Sequence, residues 1–170
     1  MRSWWAGKTR QALRYLTGRV SDADRAMLAR WLTADQLRLF EAIHRADQRH
    51  GLDVVIALRR AGHEDPDLLV AGLFHDAAKG PTVGFWPRVA WSLADRYGGR
   101  MRALGEAVPG FRAKFARLDD HAEGSARLAL AAGCSPRAAE LIRAQAGEVD
   151  PATGIDPGLG EALRLADEAN

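Results

Sequence analysis

The chain has 170 residues, 47% of them apolar, which suits one domain with a real core and excludes a disordered segment. Lys and Arg number 24 against 22 acidic residues, a net charge of +2, and no concentrated basic stripe with interleaved aromatics favours nucleic acid as a partner. The single cysteine, Cys134, rules out an internal disulfide, and no secretory signal or apolar run of membrane-spanning length is visible, so a cytoplasmic location and no integral membrane segment are expected.

Residues 3–17 place Trp4, Trp5, Ala12, Leu13 and Leu16 at roughly helical spacing with Lys8, Arg10 and Arg14 between them. Such a helix packs on the domain through its apolar side; the competing reading is a basic, Trp-bearing helix in peripheral contact with a membrane surface. Ser21 is placed to cap a helix from Asp22 to about Leu32, with Met27, Leu28, Trp31 and Leu32 apolar. Thr33 caps the next, with Leu37, Leu39, Phe40 and Ile43 on its buried side. Residues 1–35 are read as an N-terminal helical extension packing on the core, and 36–170 as the main domain. A further helix runs from near Asp47 to about Ala61, and Gly62 ends it. Its His50 shares a side with Val54 and Leu58 by i, i+4 spacing, which points it inward.

Asp65 followed by Pro66 starts a helix in which almost every residue from Leu68 to Ala78 is apolar. A helix apolar on all sides and too short for a bilayer belongs in the middle of a core. Its predicted end carries His75 and Asp76 side by side, with Lys79 one turn after the histidine. A carboxylate set against a core costs several kcal/mol unless something pairs with it. A metal ion is an economical partner for imidazole and carboxylate together; the alternative is a polar helix end facing water. Gly80 to Pro87 is a breaker-rich loop bearing Phe85 and Trp86, either a wall or lid for a bound base or a hydrophobic clasp on the core. Helices are then expected at about 88–97, 101–107, 111–132 with an interruption near Asp119-Asp120, 136–146 and 157–169. No strand alternation appears, so the fold is all-α, a compact multi-helix bundle.

Six residues are candidates for chemistry. His50 can face His75, because helices joined by a short loop are usually neighbours. Asp167, in Leu163-Arg164-Leu165-Ala166-Asp167, is an acid in an apolar phase and needs a partner. Asp76, Lys79 and His121 complete the set with His75. His44 and His63 lie among polar neighbours and are read as surface residues.

The order His50, then His75-Asp76, then Asp167 resembles the H…HD…D signature of the HD-domain metal-dependent phosphohydrolases. Asp47 to Val54 looks like the family's first-histidine helix, Leu69 to Lys79 resembles its "LxxAxLLHDxxK" helix, and Leu165 to Asn170 resembles its closing helix. The likeness covers about residues 36–170. It implies an HD-domain-like bundle with a divalent metal (Mn, Fe, Co, Ni or Mg) held by His50, His75, Asp76 and Asp167. It implies hydrolysis of a phosphate ester, as a phosphomonoesterase or phosphodiesterase, in a small substrate that is a nucleotide or nucleotide-derived. Two imidazoles and two carboxylates leave open positions on a six-coordinate ion for a water and a phosphate oxygen. Asp76, Lys79 and His121 would carry the catalysis. Lys79 could hold a phosphate oxygen or merely offset a helix dipole. His121 could touch substrate, assist a proton transfer, or be a satisfied buried histidine.

Two departures from the family pattern stand out. His121-Ala122-Glu123-Gly124 resembles the segment bearing the first of two extra histidines that bind a second metal in some members, but Gln145 stands where the second is expected. An amide is a poor ligand beside imidazole, so one metal is expected, and cyclic-dinucleotide phosphodiesterase chemistry loses support. The acidic pair that often follows the motif in alarmone hydrolases is replaced by Ala77-Ala78-Lys79-Gly80. The alternative function is a catalytically weak or inactive binding or signalling module of the same fold.

Overall fold

The computed structural model describes residues 17–80, 83–145 and 149–170, and among them every regular element is helical. Among the described residues ten α-helices follow one another: α1 (Asp22–Trp31), α2 (Ala34–Ala42), α3 (Arg45–Arg60), α4 (Pro66–Phe74), α5 (Phe85–Tyr97), α6 (Gly99–Glu106), α7 (Phe111–Asp119), α8 (His121–Ala131), α9 (Pro136–Ala144) and α10 (Pro157–Glu168). Short 3₁₀ turns stand at Ala77–Lys79 and Pro151–Thr153. The all-α architecture read from the sequence is the one the chain adopts. No helix among the described residues is long and apolar enough to cross a membrane. The expected helix at 3–17, and with it any membrane contact, lies outside the described residues apart from Thr17.

Local chemistry sets most of the boundaries. Ser21 and Asp24 close a capping box on α1, and Thr33 with Gln36 closes another on α2. Asp65, Ser135 and Asp156 each accept from first-turn amides and are each followed by proline, which starts α4, α9 and α10 where the sequence places them. His44 caps α3 through its Nδ1, 3.3 Å from the Ala46 amide, and is half-buried, as is His63. Both of these expected surface residues are therefore only partly exposed.

Three boundaries differ from the expected ones. α4 stops at Phe74 instead of carrying His75, Asp76 and Lys79 on one helix. Side-chain bonds take over there: the His75 ring returns to the Gly72 carbonyl at 2.9 Å, and Gln145 donates to the His75 carbonyl at 2.8 Å. α5 begins at Phe85, ahead of Pro87, because first-turn amides have no intrahelical acceptor and a proline there forfeits nothing. The expected break near Asp119-Asp120 is complete, and His121 opens a separate helix.

α4 runs through the middle of the core, with Leu68, Leu69, Ala71, Leu73 and Phe74 all buried. Around it one cluster joins residues of α1 to α4 and α8 to α10, among them Leu28, Phe40, Leu58, Ile142 and Leu163. The expected division after residue 35 falls inside α2, and Leu28 of α1 belongs to the same core as α4. Helices α5, α6 and α7 form a separate layer around Phe115 and contribute nothing to that cluster. α3 and α4 cross closely. A Cβ added at Gly51 would stand 2.4 Å from the Leu73 carbonyl oxygen, so only glycine admits this approach. It sets His50, the preceding residue, against the end of α4.

Candidate metal centre

Four elements deliver the side chains. α3 supplies His50, the turn that follows α4 supplies His75 and Asp76, the start of α8 supplies His121, and the end of α10 supplies Asp167. The His50 and His75 rings meet edge-on, centroids 5.1 Å apart. Ligand atoms of His50, His75 and Asp76 all lie within 4.8 Å of one another. Asp167 Oδ1 lies 2.7 Å from His50 Nε2 and 3.5 Å from His75 Nε2. Its side chain is 38% exposed, whereas His75 and Asp76 are almost fully buried. The structure therefore brings His50, His75 and Asp76 within reach of one ion, while Asp167 meets the two histidines from the solvent side.

The tautomers follow from the partners. A carbonyl only accepts, so His75 Nδ1 is the donor to Gly72, and Nε2 faces the cluster. Nε2 stands 3.5 Å from Asp76 Oδ1, too far and poorly placed for a hydrogen bond. His75 Nε2 and Asp76 Oδ1 are both buried without a hydrogen-bond partner among the described residues. Such atoms are uncommon in a folded chain and call for a reason. His121 repeats the pattern: its Nδ1 donates to the Leu118 carbonyl at 2.5 Å, and its Nε2 stands 3.7 Å from the same Asp76 Oδ1. Lys79 Nζ takes the other oxygen of Asp76 at 2.5 Å. Both other sequence candidates, His121 and Lys79, thus border the cluster.

The charges are strongly coupled. Burial opposes the imidazolium of His75, but the Asp76 and Asp167 carboxylates outweigh it and raise its pKa to about 9. Burial likewise opposes the Asp76 carboxylate, and His75, Lys79 and His50 overcome it, holding Asp76 well below the ordinary carboxylate range. Asp167 is also held low: burial works against it, and the bond to His50 with the nearby charge of His75 prevails. Lys79 is pushed up, since Asp76 and Asp47 outweigh its burial. His121 is pushed down by burial and by the Lys79 ammonium, so it is neutral near pH 7. The cluster can take up a cation or exchange protons, with His75 holding a proton until a stronger Lewis acid displaces it.

Two features went unread in the sequence. Gln145 serves as a donor to the His75 backbone, which no spacing rule foretells because the bond spans 70 residues. Asp47, buried beside the site, is held by both guanidinium nitrogens of Arg88 at 2.6 and 2.7 Å. The signal for Asp47 was available, since it precedes His50 by three and so shares its helix face. The loop after Lys79 divides: Val83 and Pro87 are buried as a clasp would be, while Trp86 stands exposed against Phe85, centroids 5.3 Å apart.

The chain matches no family model, no curated protein and no solved structure.

Proposed function

We propose that this chain is a metal-dependent phosphohydrolase in which His50, His75, Asp76 and Asp167 hold one divalent cation, Mn, Fe, Co, Ni or Mg, and hydrolyse a phosphate ester in a nucleotide or nucleotide-derived substrate. The observation that carries the reading is the pair of buried, unpartnered atoms, His75 Nε2 and Asp76 Oδ1. Both atoms face the space where the carboxylate of Asp167 also arrives, and once His75 Nε2 gives up its proton two nitrogen and two oxygen donors are a fitting set for such an ion. The likeness to the HD-domain signature, with its ligands in the same order on core elements, agrees with that chemistry.

When bound, the ion would supply the positive charge and Lewis acidity that phosphate hydrolysis needs. The chain's own groups would do the rest. Lys79, paired with Asp76 in this state, would transfer its ammonium to a phosphate oxygen. His121, with Nδ1 committed to Leu118, keeps Nε2 to accept or return a proton. Gln145 donates one amide N–H to the His75 carbonyl and so steadies a ligand of the ion.

The test has two steps. Metal analysis and melting with and without Mn²⁺ decide whether a site exists; no metal and no shift in melting overturn the reading. A screen of nucleoside monophosphates, deoxynucleoside triphosphates and generic phosphodiesters follows, with His75→Ala and Asp76→Ala as controls. Activity lost in both variants is expected. Activity that survives them lies elsewhere on the chain, and a metal-bearing chain that turns over no substrate is a binding module.

A further inference from the structure

We propose that Asp47 and Arg88 are positioning residues of the candidate site: their ion pair holds the first turn of α5 against α3 beside the candidate metal ligands, and through the bond from Arg88 to Val83 it steadies the segment that follows Lys79, where a substrate phosphate would be met. The second half rests on the phosphohydrolase reading; the first does not.

Asp47 is 5% exposed, and a carboxylate so buried needs full compensation. It receives it from Arg88, whose two terminal nitrogens meet its two oxygens in a planar fork. The third guanidinium nitrogen, Nε, donates to the Val83 carbonyl at 3.1 Å. One side chain therefore fastens α3, α5 and the segment leading from Lys79. This is the place where a fastening is needed. The layer of α5, α6 and α7 contributes no side chain to the core cluster that holds α3 and α4, so this ion pair adds a polar link between α5 and α3.

The pair also bears on the chemistry. Asp47 and His50 lie on one face of α3, three residues apart. Arg88 in turn holds the Val83 carbonyl, four residues after Lys79, so the same pair bears on where the Lys79 segment lies.

The test uses the full chain with Arg88→Gln, Arg88→Lys and Asp47→Asn, all outside the metal ligands. Hydrogen exchange of the metal-free protein reads the first half. Amides of residues 83–97 are expected to exchange at least about tenfold faster in Arg88→Gln, and less so in Arg88→Lys, while those of 52–58 and 68–74 hold their rates. Calorimetry reads the second half: Mn²⁺ affinity is expected to stay within about threefold of wild type, while inorganic phosphate binds the Mn²⁺-loaded variants at least about tenfold more weakly. Unchanged exchange in 83–97, or faster exchange everywhere at once, overturns the local fastening. Unchanged phosphate affinity overturns the role toward Lys79. If wild type binds neither Mn²⁺ nor phosphate, the phosphohydrolase reading and the phosphate role fall together, and exchange alone decides the fastening.

Discussion

Gly51→Ala tests the helix crossing on which the whole site depends. Two effects oppose each other. Alanine in a helix interior is favoured over glycine by about 1 kcal/mol, so an open position would gain stability. Here the added Cβ would stand 2.4 Å from the Leu73 oxygen and 3.2 Å from its carbon. A carbon meets a carbonyl oxygen at no less than about 3.3 Å, so α3 and α4 must part by roughly 1 Å. The obstacle is backbone, which has no rotamer to escape into, and overpacking of this kind costs typically 1–3 kcal/mol; we take the upper end, about 3 kcal/mol. The net loss is then about 2 kcal/mol, or a fall in Tm of roughly 4–8 °C for a chain of this size. Thermal unfolding followed by circular dichroism reads it, with urea denaturation as a check on the free energy. Gly72→Ala is the internal control. Its new Cβ would meet only the ends of Leu58 and Val54, at 3.0 and 3.1 Å, and those side chains can shift. That variant should lie within about 1 kcal/mol of wild type. A Gly51→Ala protein that melts at or above wild type would mean that α3 and α4 stand further apart than described, and His50 would then lose its place beside His75.

The remaining predictions concern the cluster. Mn²⁺ at a hundred times its dissociation constant should stabilise the wild type by about 2.7 kcal/mol, a rise of roughly 5–10 °C in Tm, and His75→Ala and Asp76→Asn should lose that rise; equal rises in all three would remove the metal from these residues. Gln145→Glu keeps the shape but replaces a donor on the His75 carbonyl with a repelling oxygen. Mn²⁺ affinity measured by calorimetry should fall about tenfold, and an unchanged value would make the bond incidental. For the metal-free protein, His75 has its pKa raised from an ordinary 6.5 to about 9, because Asp76 and Asp167 outweigh the burial that opposes its charge. A proton held more tightly in the folded state stabilises that state fully below pH 6.5, and the contribution fades as pH climbs to about 9. Urea midpoints should therefore drop across that window and flatten in His75→Gln; a drop that persists in the variant has another source. By the same linkage Mn²⁺ should bind more tightly at pH 8.5 than at 6.5 and release a proton, which calorimetry in buffers of different ionisation heat detects.

The sequence revealed what is local and left obscure what is long-range. Capping residues act within three or four positions, so Ser21, Thr33, Asp65, Ser135 and Asp156 announced where helices begin. His50 could be aimed inward because Val54 and Leu58, one and two turns along, are apolar and buried. The end of α4 was misjudged for a complementary reason. Apolar residues continue to Ala78, and composition alone extends the helix, yet the His75 carbonyl is claimed by Gln145 from 70 residues away. That early stop matters for function. On an unbroken helix Lys79 would sit one turn beyond His75 and offset the helix dipole. On the 3₁₀ turn its ammonium reaches Asp76 directly. The fastening of α5 is hidden for the same reason: Asp47 and Arg88 are 41 residues apart, and each alone reads as an ordinary charged residue near a helix start. What composition cannot supply is the partner of a buried charge. At this site Asp47 and Lys79 have found theirs, whereas His75 Nε2 and Asp76 Oδ1 have no hydrogen-bond partner among the described residues, and those two atoms are the feature on which the metal reading stands.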